Sequence, residues 1–199
     1  MRQRGFTLIE LMVTIAVIAL ILLTAMPSVA SWLDNTRIRN VADSLHSGLQ
    51  IARAEAVRRN QSVSFWLVGL NNPEALANDC TLSSNSGAWV VSVNSPAGHC
   101  ADAPSVKLSP MLVTGRALGD GTASVSVAAV QADGASSAEA VTFDGFGRVT
   151  NTDAIGRIDV TGTSSNVNLR LTVSSVGMVR VCRPRPDPDV TDKNDPRYC

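Results

Sequence analysis

The sequence predicts an α+β fold: one long N-terminal α-helix, transmembrane over its first half, packed against a small antiparallel β-sheet head. Three observations predict it. Residues 6–26 are predominantly apolar and carry a single charge, Glu10. Beyond Pro27 the apolar residues return at helical spacing. After Asn60 the chain turns to short β-prone segments separated by Gly, Asn, Ser and Pro.

The helix is read over residues 7–59. At about 1.5 Å per residue, its apolar run reaches about 30 Å, a full hydrocarbon thickness. A cleavable secretory signal would have an apolar core of only about 7–15 residues. Pro27 removes one backbone hydrogen bond where the run ends and is expected to kink the rod. Val41, Leu45, Leu49, Ala52 and Ala56 then fall on one stripe, with Arg37, Arg39, Asp43, Gln50, Arg53 and Arg58 largely off it. Glu55 and Arg59 form an i, i+4 pair in the favourable order.

Residues 62–68 and 88–93 read as strands, with a long loop over 69–87 between them. Residues 124–130 alternate polar and apolar, as a half-buried strand does. Residues 140–149 read as strand, turn and strand about Asp144 and Gly147. Residues 158–160 are a short strand, and 168–173 with 178–182 form a hairpin. The head is expected to hold one or two antiparallel sheets against the amphipathic stripe. The tail, 183–199, is rich in Pro and Asp and builds no core of its own.

The chain has 199 residues, enough for one membrane helix and one modest domain. Its 17 basic and 17 acidic residues balance, unlike a protein that coats itself in nucleic acid. Arg2 and Arg4 precede the apolar run, so the positive-inside tendency leaves the head on the outer side. None of the four cysteines forms a Cys-x-x-Cys pair. Three pairings are open; the sequence-local one, Cys80 with Cys100 and Cys182 with Cys199, closes two loops of roughly 20 residues. Disulfides imply an oxidising compartment.

Gly5-Phe6-Thr7-Leu8-Ile9-Glu10-Leu11 resembles the processing site of type IV pilins and type II secretion pseudopilins. Leu49, followed by Ala52-Arg53-Ala54-Glu55-Ala56, then Phe143, Gly147 and Arg148, and finally Arg180 and Cys182, are similar to the GspH/FimT branch of minor pilins and pseudopilins. The resemblance implies a pilin-like fold and five segments. Residues 1–5 are a leader, 6–27 the transmembrane and assembly helix, 28–60 the amphipathic half, 61–182 the periplasmic β head, and 183–199 a disulfide-stapled loop. It further implies that a prepilin peptidase cuts between Gly5 and Phe6 and that Phe6 is N-methylated. Cleavage takes Arg2 and Arg4, leaving 15 basic residues against 17 acidic ones. Glu10 is then expected to pair with a Phe6 ammonium, its own or a neighbour's, because a carboxylate in an apolar span needs an opposite charge.

The implied function is structural: a single-pass protein of the bacterial inner membrane that joins the tip or priming complex of a type IV pilus or type II secretion pseudopilus. Its partners are other pilin-like subunits, prepilin peptidase and the membrane. No catalytic site, metal or cofactor is expected. His46 and His99 stand far apart, and no phosphate loop or nucleophile elbow occurs. Asp187, Asp189, Asp192 and Asp195 crowd the tail but lack the glycine and terminal Glu of a calcium loop. The alternative is a DNA-binding minor pilin for natural transformation. Some relatives use a late Gly-Arg-x-Arg for this. Here the stretch is Gly177-Met178-Val179-Arg180, with Arg183 and Arg185 as further phosphate contacts beside four Asp. A third reading is a membrane-anchored periplasmic domain outside any filament.

Overall fold

The computed structural model describes residues 6–119, 124–163, 167–184 and 197–199, with the side chains of 22–30 also left aside. Helix α1 (Leu8–Arg59) runs for 52 residues. Thr7 caps its start in extended backbone, and Asn60 ends it at φ 49°, returning its N–H to Ala56 and Val57. The helix assignment continues past Pro27, and the expected kink there falls among the side chains left aside.

Nine strands follow among the described residues. They are β1 (Val63–Gly69), β2 (Thr81–Leu82), β3 (Trp89–Ser92), β4 (Leu112–Arg116), β5 (Val125–Val130), β6 (Ala140–Phe143), β7 (Arg157–Gly162), β8 (Leu169–Val173) and β9 (Val179–Cys182). Every pairing is antiparallel. One sheet centres on β1, which takes β6 on one edge and β3 on the other; β4 extends it beyond β3, and β2 pairs with the end of β1. The second sheet has the order β5-β7-β8-β9.

Both sheets pack on the second half of α1 and share one core. Ile38, Val41, Leu45, Leu49, Ala52 and Ala56 meet Phe65, Trp89 and Phe143 of the first sheet and Ile158 and Leu171 of the second. The approach is close. A Cβ on Gly48 would lie 2.7 Å from the Phe65 ring and 2.8 Å from Trp89. The Trp89 indole donates to Ser44 Oγ at 2.9 Å, satisfying a polar group that burial would otherwise penalise.

The sheets differ in how much they bury. β5 alternates, with Val125, Val127 and Ala129 inward, as a one-faced strand should. β1 and β3 are buried almost throughout. Their far face is covered by a second cluster of Val68, Cys80, Ala88, Val90, Cys100 and Leu112. The Cys80–Cys100 bridge lies inside that cluster. Cys182 bonds to Cys199, and this holds the chain end beside β9 through the Arg183–Tyr198 bridge.

Three expectations are corrected. The 69–87 loop contains β2, and β4 was not foreseen. The strand expected after the Asp144 turn shrinks to one bridge, Phe143 to Val149. The Thr150 N–H still donates to Thr142 O at 3.0 Å, but the Val149 N–H turns to Ser175 O at 3.0 Å and the Thr142 N–H is taken by the Asn151 side chain at 2.9 Å, so no ladder continues.

Candidate functional site

The N-terminal turn of α1 is built from Phe6, Thr7 and Glu10. Thr7 Oγ1 accepts the Glu10 N–H at 3.3 Å. The Glu10 carboxylate accepts the Thr7 N–H at 3.0 Å and the Thr7 hydroxyl at 2.9 Å. This reciprocal capping box satisfies donors that a helix start leaves open. Thr7 is a site residue that the sequence reading missed, although Thr-x-x-Glu before an apolar run is its signal. The carboxylate therefore sits over the helix entrance, one residue from Phe6, which is 87% exposed. Gly5 and the peptide bond expected to be cut lie outside the described residues.

From Leu8 to Ile21 the large apolar side chains are exposed, Leu8, Ile9 and Leu20 among them. From Leu8 to Leu20, no other described part of the chain covers them. Among the described residues, no helix is long and apolar enough to cross a membrane; the described side chains of the apolar run stop at Ile21.

The head joins the rod at two clamps. The lower is Asp34, a buried carboxylate that accepts Ser124 Oγ at 2.9 Å and pairs with Arg37 at 3.1 Å. The upper is Arg53, whose Nε donates to Gly147 O at 3.1 Å. Gly147 closes a turn held by Asp144, which accepts the Phe146 and Arg148 N–H groups, both at 2.9 Å, and pairs with the Arg148 guanidinium at 3.1 Å. These bonds hold the Asp144 carboxyl below the usual range, the Arg148 N–H most strongly, with burial opposing. Gly177 lies on top: a Cβ there would run into the Gly147 carbonyl, and its φ of +77° suits only glycine. Beside this clamp, Glu55 binds Arg58 and Arg59, each at 2.7 Å. The Arg58 hydrogen bond leads in lowering the Glu55 carboxyl, against burial and with help from Arg59. Arg53 and Gly147 thus serve as architecture.

Among the described C-terminal arginines, Arg180 and Arg183 both meet the chain end at residues 197–199. Arg180 is exposed on β9 and reaches Tyr198 O at 3.5 Å. Arg183 exchanges backbone hydrogen bonds with Arg197 and Cys199. Arg185 and the Asp-rich stretch fall outside the described residues. Met178 is exposed where the transformation motif places its first arginine.

Comparison with known proteins adds the following. The sequence model of the family described as type II transport protein GspH matches residues 41–177. That of the prokaryotic N-terminal methylation motif matches residues 1–26. Among solved structures, the type IV minor pilin FimU of Pseudomonas aeruginosa, in space group P21, aligns at 15% identity and a TM-score of 0.46, over 75% of this chain and 91% of that one. The same protein in space group P65 aligns at 16% identity and a TM-score of 0.44, over 72% and 90%. No curated protein sequence is significantly similar to the chain.

Proposed function

The chain belongs to the type II transport protein GspH family, and from that premise we propose that it works as a minor pilin or pseudopilin at the tip or in the priming complex of its filament. Prepilin peptidase cuts between Gly5 and Phe6 and methylates the Phe6 amine. Until assembly, residues 6–27 anchor the protein once through the inner membrane, with the head in the periplasm. Assembly then lifts that segment out of the lipid and packs it among the helices of other pilin-like subunits.

One observation carries this reading. The methylation motif and the family domain lie in one chain, and a single helix of 52 residues joins them. Its first half has no partner within the described chain and its second half is enclosed. Glu10 supports the reading, since its carboxylate already stands over the helix entrance where cleavage would place an ammonium. Pairing with that ammonium would then compete with the capping hydrogen bonds to Thr7.

The test separates processing from assembly. Glu10→Ala, expressed with the peptidase and the other subunits, is expected to show by intact mass the same loss of residues 1–5 and gain of one methyl as the parent. It is expected to be missing from sheared filaments. Incorporation at the parent level would overturn the role given to Glu10; an uncut parent chain would overturn the processing step itself.

A further inference from the structure

The chain has three tryptophans, and one of them is out of place for a folded head. Trp89 is 4% exposed and bonded to Ser44. Trp66 is half-buried. Trp32 is 65% exposed, and the next residue, Leu33, is 42% exposed. Large aromatic rings are seldom left so bare in a soluble domain, because each carries a large apolar surface. Trp32 lies on α1 two residues before Asp34, whose hydrogen bond with Ser124 ties the helix to the head. Nothing in the described chain covers it.

Its height along the rod is specific. After Glu10 the chain carries no charge until Asp34, so Trp32 and Leu33 are the last residues of the uncharged run. From Phe6 to Trp32 a straight helix rises about 39 Å at 1.5 Å per residue, or about 37 Å at a tilt of 20°. A bilayer has a hydrocarbon core of about 30 Å and spans about 40–45 Å with its headgroups. With Phe6 at the water-facing edge of the inner headgroups, the outer headgroup layer begins about 35–37 Å away and ends at about 40–45 Å, so Trp32 falls within it. That layer favours an indole, with its apolar ring toward the acyl chains and its N–H toward polar groups.

We propose that Trp32 is an interfacial anchor: before assembly its indole occupies the phospholipid headgroup layer on the periplasmic side and seats the head directly on the membrane surface. This rests on the single-pass reading above. The Asp34 clamp begins two residues later, so little free helix separates the lipid surface from the head.

The experiment uses the full chain in vesicles of phosphatidylethanolamine and phosphatidylglycerol. The lipids carry bromine either near the headgroup or deep in the acyl chains. Trp32 emission is taken as the difference between the parent and Trp32→Phe, a change that leaves Trp66 and Trp89 as internal references. Shallow bromine is expected to quench Trp32 at least about twofold more than deep bromine. Stronger quenching by deep bromine would place the ring in the hydrocarbon and overturn the proposal. So would a Trp32 silent to both bromines while the protein floats with the vesicles; if it is then also shielded from an aqueous quencher, a second copy of the chain covers it. A parent chain that does not float with vesicles overturns the single-pass reading, and this proposal with it.

Discussion

The two halves of α1 share a backbone, a direction and a taste for Leu, Ile, Val and Ala, yet they meet opposite fates. In the second half, Ile38, Leu45 and Leu49 are fully buried. In the first half, Ile15 and Leu20 are about as bare as side chains on an isolated helix. The difference lies in the residues between the apolar ones. Beyond Asp34, charged and amide side chains confine the apolar residues to a stripe, and a stripe can be covered by two sheets of the same chain. Before Asp34 the apolar residues run all round, a pattern that calls for cover on every side, and the described head reaches none of the large side chains from Leu8 to Leu20. The first half is left bare by the described chain, and under the proposed function lipid and then other pilin-like helices supply its cover. One helix thus carries a bare half and an enclosed half, and the changeover is set by sequence within a few residues of Trp32.

The sharpest way to break this comparison is a matched pair of truncations. Leu49→Ala opens a cavity under both sheets and is expected to cost the head about 2–5 kcal/mol, read as a lower thermal midpoint by near-ultraviolet circular dichroism of the full chain. Ile15→Ala removes a similar side chain from the bare half. It is expected to leave that midpoint unchanged within about 0.5 kcal/mol while weakening incorporation into filaments. A large fall for Ile15→Ala would mean the halves are coupled.

A smaller effect sharpens where the enclosed half ends. Gly177→Ala forces a side chain into left-handed backbone and against the Gly147 carbonyl. The backbone term alone is about 1–2 kcal/mol. Loss of the Arg53–Gly147 hydrogen bond is expected with it, visible as faster amide exchange at Phe146 and Arg148. Unchanged exchange there would show that the upper clamp does not depend on Gly177.

The mildest test is pH. Asp144 and Glu55 both have folded carboxyls held below their ordinary values, which are about 3.9 for Asp and 4.3 for Glu. A depressed folded value stabilises above the unfolded value and is lost as pH falls through the folded one. The head's thermal midpoint is thus expected to stay flat from about pH 7 to 5 with respect to these groups. It should decline only below about pH 4. Asp144→Asn should remove part of that decline; an unaltered acid limb would show that the Asp144 turn contributes nothing to it.

What the sequence made legible tracks these same contrasts. The buried stripe was readable because Val41, Leu45, Leu49, Ala52 and Ala56 repeat at the helical period, and all five are buried. β5 was readable because it alternates. β4 was not, since its residues are mostly half-buried and Gly115 interrupts it. β2 is two residues long within a loop and had no pattern to show. The clamps were invisible for another reason. Arg53 and Gly147 are 94 residues apart, and Asp34 and Ser124 are 90 apart; no local rule links such residues. Thr7 is legible as half of a capping box, because Thr-x-x-Glu stands directly before the apolar run.

The long shared contact between α1 and the head has a mechanical consequence. The helix lies along the head from Asp34 to Ala56, touching seven of the nine strands. A pull along the rod, such as the proposed extraction of residues 6–27 from lipid, loads those contacts in shear. Ile38, Leu45, Leu49 and Ala56 then resist together rather than one after another. The same pull applied across the axis would peel them singly, starting at Asp34. The join between helix and head is strong along the rod and weak across it, and in the proposed filament the strong direction is the one in which the filament lengthens.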